Sequence, residues 1–355
     1  MMLQNYLRGR DNNFNLIRLI AATLVIFSHS YVLAGRVGQE PLAELFGMDS
    51  SHVAVHIFFV ISGFLLTASL SERKNLLIYA EGRFLRIFPG LCVAVLFSAL
   101  VIGGLFTTLA RSDYFARREV WEFIGINSAL ILDKVQLRYT LPGVFPNNPN
   151  VNGSLWTLPY EVWLYIAFGA LGWIGILNKR AIMNGFLLTV LTLFVFSRLS
   201  GLAAEFQTVH NFGRFSLYFF AGVAMYVNRD FVPLKLLPVI LLWLGMWLAR
   251  GTALHGIITF LALVYSVFWF AYVPAGWIRN YNQLGDYSFG TYIYAFPIQQ
   301  SIIFVFGAIE PLALCALAIA CTLPFAIVSW HLIEKNALGL KGSLSRWVHS
   351  HAPVG

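Results

Sequence analysis

The sequence predicts an all-α fold, a polytopic integral membrane helical bundle of about ten transmembrane helices with both termini cytoplasmic. Three observations predict it. Of 355 residues, 58% are hydrophobic and 11% charged, a balance that no water-soluble globule can bury without leaving large apolar patches on its surface. Apolar runs of about 17 to 25 residues, the length that crosses roughly 30 Å of hydrocarbon, recur along the whole chain. The basic residues fall mostly in alternate connections, as the positive-inside rule requires.

Taken in order, the first run, 14–34, is long and has no small-x-small cleavage site behind it, so it is read as a retained anchor rather than a signal peptide. Further spans are expected at 52–70, 88–109, 154–177, 183–200, 212–227, 235–249, 253–273, 286–307 and 311–333. The seventh and eighth are parted only by Arg250-Gly251-Thr252, which leaves nine or eleven crossings as neighbouring counts. With the N-terminus inside, the inner segments hold Arg8, Arg10, Arg73, Lys74, Arg83, Arg86, Lys179, Arg180, Arg229, Lys235, Arg279, Lys335, Lys341 and Arg346. The short outer loops hold Arg36, Arg198, Arg214 and Arg250. Five more basic residues, Arg111, Arg117, Arg118, Lys134 and Arg138, lie in the long stretch 110–153, where the rule is weak. The net charge of +8 then reflects orientation and contact with anionic membrane lipids, and nucleic acid is not an expected partner. One domain, 1–355, is expected, with no fused soluble domain.

Charge inside a span costs about 2.5–3.5 kcal/mol on insertion scales and rarely faces lipid, so ionisable residues there carry information. Arg18 and His29 are eleven apart in the first run, which returns them to within about 20° of one face and separates them by about 16 Å along the axis. The structural alternatives are a snorkelling anchor for Arg18 and a packing histidine for His29. In YAEGRFLRIFPG, 79–90, read as the second cytoplasmic loop, Arg83 and Arg86 share the face of a helical turn that Pro89 ends or kinks. Paired guanidiniums suit a phosphate through forked bonds; plain inside charge is the alternative. In NPNVNGSLWTLPYEVWLYI, 148–166, Ser154 reads as an N-cap and Glu161 lies two turns down the same face, either a functional carboxylate or an internal tie between helices. Depth places His29 about 8 Å and Glu161 about 10 Å below the outer boundary, where a base and its orienting partner can meet.

Other features carry less. His52 and His56 share a face, but no third ligand has matching spacing and no metal is expected. Cys92, Cys315 and Cys321 fall in spans without disulfide or ligand spacing. Asn152-Gly153-Ser154 matches a glycosylation sequon by chance, and Glu334 closes the last span beside basic neighbours.

Together these stretches resemble the membrane acyltransferase-3 family, the O-acyltransferases that modify bacterial surface sugars. Arg18 and His29 match its R-x10-H pattern, HIFFVISGFLL (56–66) its FFxxSGF segment, RFLRIFP (83–89) its RxxRIxP motif and SLWTLPYE (154–161) its SLWxLxxE motif. LGDYSFGTYIYAFPI (284–298) and SWHLIEK (329–335) resemble its last two helices. The resemblance covers nearly the whole chain and implies a multi-pass protein of the bacterial cytoplasmic (inner) membrane. It implies an enzyme that takes an acyl group, commonly acetyl, from cytoplasmic acetyl-CoA and delivers it to a glycan or lipid-linked oligosaccharide acceptor at the outer face. By that resemblance His29 is the base, Arg18 its companion, and Arg83 and Arg86 the coenzyme A site; His56 is assigned no role. The chemistry asks for the same parts: a base on the hydroxyl, donors for a tetrahedral oxyanion, and a phosphate site. Asn152, Ser154, Trp156 and Ser62 are the candidate donors around the substrate, and the sequence does not choose among them. A secondary transporter is the rival reading, although inverted repeats and paired broken helices are not visible.

Overall fold

The computed structural model describes residues 1–7, 11–73, 75–130, 139–177, 179–201, 206–343 and 345. Of the basic residues in the charge count, Arg8, Arg10, Lys74, Lys134, Arg138 and Arg346 lie outside the described residues, as do the side chains of Arg73 and Arg198. The fold is all-α: among the described residues the extended backbone amounts to two isolated bridges, Met2 with Pro233 and Thr107 with Val144.

Each of the ten expected intervals holds a helix: α1 (Phe14–Leu33), α3 (Ser50–Arg73), α4 (Leu76–Leu96), α7 (Leu158–Trp173), α8 (Arg180–Leu199), α9 (Gln207–Val227), α10 (Leu236–Leu248), α11 (His255–Tyr272), α12 (Ser288–Phe306) and α13 (Pro311–Ser329). Short helices α2 (Pro41–Phe46), α5 (Arg111–Ala116) and α6 (Arg118–Ala129) occupy the connections. Among the described residues, seven helical stretches are long and apolar enough to cross a membrane. α7 and α10 are shorter, at 16 and 13 residues, and α9 carries Asn211 and Arg214 within its length. The chain is therefore a polytopic helical membrane protein.

One expectation is corrected. The stretch 79–90 is not a loop, because α4 begins at Leu76 and carries Pro89 within it. Asn75 supplies the start, its Oδ1 accepting from the Ile78 amide at 3.0 Å, as a helix-capping side chain does. Pro89 removes one donor without ending the helix, which membrane helices tolerate when neighbours meet the freed carbonyl. α4 continues through a π turn, Phe97–Ile102, into Gly103–Phe106. α13 likewise runs through a π turn, Trp330–Glu334, into Lys335–Gly339.

The chain forms two compact units: 1–21, 41–79 and 163–286 make the first, and 22–40, 80–162 and 287–355 the second. In the first, α3 and α9 touch backbone to backbone. A Cβ on Gly63 would meet the Phe219 carbonyl oxygen at 1.9 Å, and one on Gly222 the Val60 carbonyl oxygen at 2.0 Å. Apolar association gains little in lipid, so helices hold by such close contact between small residues. Phe64, Phe268 and Tyr272 pack around Phe14. Arg180, the first residue of α8, reaches both carboxylate oxygens of Asp230, in the turn after α9, at 2.6 Å, and that hydrogen bonding holds the Asp230 carboxyl below its ordinary range.

In the second unit α12 lies on α13, where a Cβ on Gly290 would come within 2.8 Å of the Ala326 Cα. The π turn of α4 leaves a carbonyl for a tertiary partner: Tyr114, fully buried, donates to Ala99 at 2.7 Å, a common use of such widened turns.

Candidate active site

His29 lies one turn before the end of α1, half-buried. Its ring meets Phe296 of α12 edge-on, with centroids 5.2 Å apart and planes at 82°. The turn that carries it is tied down on both sides. Ser28 donates to the buried carboxylate of Glu40 at 2.7 Å, and the Gln299 amide of α12 donates to the Ile26 carbonyl at 2.9 Å and the Ser30 hydroxyl at 2.8 Å.

The 152–157 stretch arrives on the same phenylalanine. Pro297 has no N–H, so the carbonyl four residues before it, on Ile293, loses its donor within α12; the Asn152 amide takes that place, donating at 2.9 Å. Gly153 follows with no room for a side chain, since a Cβ would sit 3.0 Å from the Phe296 ring. Ser154 does not cap α7 as the sequence suggested. Residues Gly153–Thr157 form a 3-10 turn and α7 begins at Leu158, because Tyr292 holds the turn, donating to the Ser154 carbonyl at 2.6 Å and bonding the Thr157 hydroxyl at 2.7 Å. Two polar atoms of this segment, the Asn152 Oδ1 and the Ser154 Oγ, are buried and meet no hydrogen-bonding group among the described residues. Native structures rarely leave such atoms unmatched unless something else arrives. Trp156 packs edge-on to Tyr160 with centroids 5.9 Å apart, and Glu161 occupies the first turn of α7 in this second unit.

The paired arginines share a face of α4. Arg86 forms an ion pair with Glu334 at 3.7 Å, the carboxylate 2% exposed, and its guanidinium lies 5.7 Å from the Phe289 ring centre. Glu334 also accepts from Ser329 at 2.9 Å, so the π turn of α13 and the guanidinium share one buried carboxylate. Lys341 lies over Gly82, where a Cβ would meet its Cε at 2.8 Å, and so brings a third cation to the α4 turn that carries Arg83. Nothing local in the sequence signals this contact.

The remaining candidates sit in the first unit. Arg18 pairs with Asp286 at 3.0 Å, the two side chains 18% and 7% exposed. Asp286 belongs to the LGDYSFG stretch, and a buried carboxylate here explains how a guanidinium is accommodated in an apolar run. Ser62 accepts from the Tyr165 hydroxyl at 3.4 Å. Glu40 and Asp286, both nearly buried, were not singled out by the sequence reading: Glu40 lies outside the expected spans and Asp286 is the first residue of one, so neither stands out as a charge within an apolar run.

A helical membrane protein with a histidine, an unmatched buried serine hydroxyl and a cluster of cations on helices of one unit has the parts of an acyl-transfer enzyme. Residues 11–331 match the acyltransferase-3 family profile, described as an acyltransferase domain; the chain belongs to this family and is an acyltransferase. It is 29% identical to the O-acetyl transferase of Shigella phage Sf6, over 93% of this chain and 96% of that protein. It is 28% identical to nodulation protein 10 of Rhizobium leguminosarum bv. viciae, over 95% of each. No solved structure matches the chain.

Proposed function

We propose that the protein is an O-acetyltransferase of the bacterial inner membrane that moves the acetyl group of cytoplasmic acetyl-CoA onto a hydroxyl of a surface glycan or lipid-linked oligosaccharide at the outer face. The observation that carries this reading is the convergence of His29 and Gly153 on Phe296 within one unit, with Asn152 bonded to Ile293 of the same helix. The O-acetyl transferase relative supports the choice of group.

In this reading His29 accepts the proton of the acceptor hydroxyl as its oxygen attacks the thioester carbonyl. The Ser154 hydroxyl donates to the oxyanion of the tetrahedral intermediate, and the Asn152 carbonyl oxygen accepts from a substrate hydroxyl. Collapse breaks the carbon–sulfur bond, and the coenzyme A thiolate leaves with the proton that His29 had taken. Glu161 orients the imidazole. Arg83 and Arg86 hold the coenzyme phosphates, Glu334 keeping the Arg86 fork in place. Arg18, bound to Asp286, anchors the other end of the helix that carries the base. Trp156 is a further candidate for contact with substrate, and Ser62 belongs to the other unit.

The test is acetyl transfer by purified protein in lipid nanodiscs. His29→Gln is expected to lower transfer by about 10²–10⁴, the usual contribution of a positioned base, while the amount of folded protein stays at the wild-type level. A variant that transfers at the wild-type rate overturns the assignment, and so does a wild-type protein that consumes no acetyl-CoA.

A further inference from the structure

One turn beyond the His29–Phe296 pair the second unit opens into a pocket of about 650 Å³, within the range of small-molecule sites, about 300–1,000 Å³. Its walls are the end of α1 from Leu33, the loop 145–148, and the end of α12 with the turn after it. Leu33 is four residues from His29 and Gln300 four from Phe296, so the pocket begins roughly 6 Å along each helix from the proposed base.

Its lining has a definite chemistry. Among the described residues, Arg36 and Glu310 are the charged residues in the wall, and they are paired with each other at 3.3 Å, so this described lining presents no net charge. The polar surface is otherwise made by the carboxamides of Asn147 and Asn148, each able to donate and to accept, with the nearly buried Gln300 behind them. Phe304, 48% exposed, gives a flat apolar face, backed by Phe106 and Phe145 at 5.5 and 5.7 Å between centroids. The loop is pre-organised. The Gln300 amide donates to the carbonyls of Asn148 at 3.1 Å and Asn150 at 2.6 Å, and Phe145 is held at φ 48°, a left-handed conformation that bulky side chains avoid unless surroundings impose it.

A hydroxyl-rich ring with one apolar face matches carboxamides around an aromatic plane, whereas an acidic sugar would lodge a carboxylate where the described lining offers no uncompensated cation. We infer that this pocket is the acceptor subsite and that it selects an uncharged pyranose over a uronic or sialic acid. The inference rests on the transferase reading above and narrows its substrate.

The experiment uses a host strain lacking its own copy, complemented with wild type, Asn148→Trp or Phe304→Ala, with mass spectrometry of the surface glycan and a thermal-shift measurement on each purified protein using coenzyme A as probe. Wild type is expected to place acetyl on a neutral hexose or deoxyhexose residue. Asn148→Trp, whose indole would intrude on the pocket, is expected to cut acetylation at least tenfold, and Phe304→Ala at least threefold, both still shifted by coenzyme A. Acetyl found on an acidic sugar overturns the inference, as do both variants acetylating like wild type. Should Asn148→Trp fail to fold, Phe304→Ala alone decides. A wild-type strain whose glycan gains no acetyl group refutes the transferase reading instead.

Discussion

Gly153 shows how finely the proposed centre depends on a missing side chain. Its neighbour Asn152 is spent on the carbonyl that Pro297 frees, and Gly153 itself lies against the ring on which His29 rests. Gly153→Ala would put a methyl group 3.0 Å from that ring and 2.8 Å from the Asn150 amide, so Phe296 must shift by a few tenths of an ångström and carry the imidazole with it. Small misplacements of this kind cost up to about 10² in rate. A fall in kcat of about tenfold with an unchanged thermal midpoint is expected, read by steady-state transfer kinetics; an unchanged kcat would show that Phe296 does not position His29 for the reaction. The sequence displayed His29, Arg83, Arg86 and the SLWTLPYE stretch, because such residues stand out against an apolar background. It did not display Glu40, Asp286 or Lys341, whose partners are brought to them by packing between distant segments.

At the scale of helices, the contact between α3 and α9 is the strictest in the first unit. Gly222→Ala would drive a methyl carbon to 2.0 Å from the Val60 carbonyl oxygen, a backbone atom that cannot rotate away. Overpacking typically costs about 1–3 kcal/mol, and the helices must separate along their length to relieve it. Gly185→Ala in α8 meets nothing within 4 Å and removes the roughly 1 kcal/mol penalty of a helical glycine. The expectation is a marked loss of folded protein for Gly222→Ala and unchanged or higher yield for Gly185→Ala, measured by size-exclusion fluorescence in detergent; equal yields would mean that the close approach is not needed. Hydropathy located these helices well but mistook 79–90 for a loop. Arginines and a proline lower the apparent hydrophobicity of a segment that nonetheless begins at a capping asparagine and runs as helix from Leu76.

For the whole molecule, composition alone indicated a helical membrane protein, and the structure and the family agree. Orientation is a separate matter that only segregation of charge addresses. Cysteines placed at Val37 and at Lys335, both exposed, in a protein whose own three cysteines are replaced, should react differently with an impermeant maleimide in intact cells. Position 37 is expected to label at once and position 335 only after the membrane is opened; the reverse pattern would invert the bundle and place His29 on the cytoplasmic side. The division into two compact units had no signature in the sequence, because neither unit is continuous along the chain and both recruit separated stretches.

The widened turn at Trp330–Glu334 bears on how this gene can change over time. A π turn holds one residue more than its α counterpart, and a single residue advances a helix by about 100°. Losing one codon there would tighten the spiral and swing Glu334 off the bearing at which it meets Arg86 and Ser329. Length variation among descendants of this chain should therefore collect in its connecting loops and spare that short interval, even where the amino acids themselves drift.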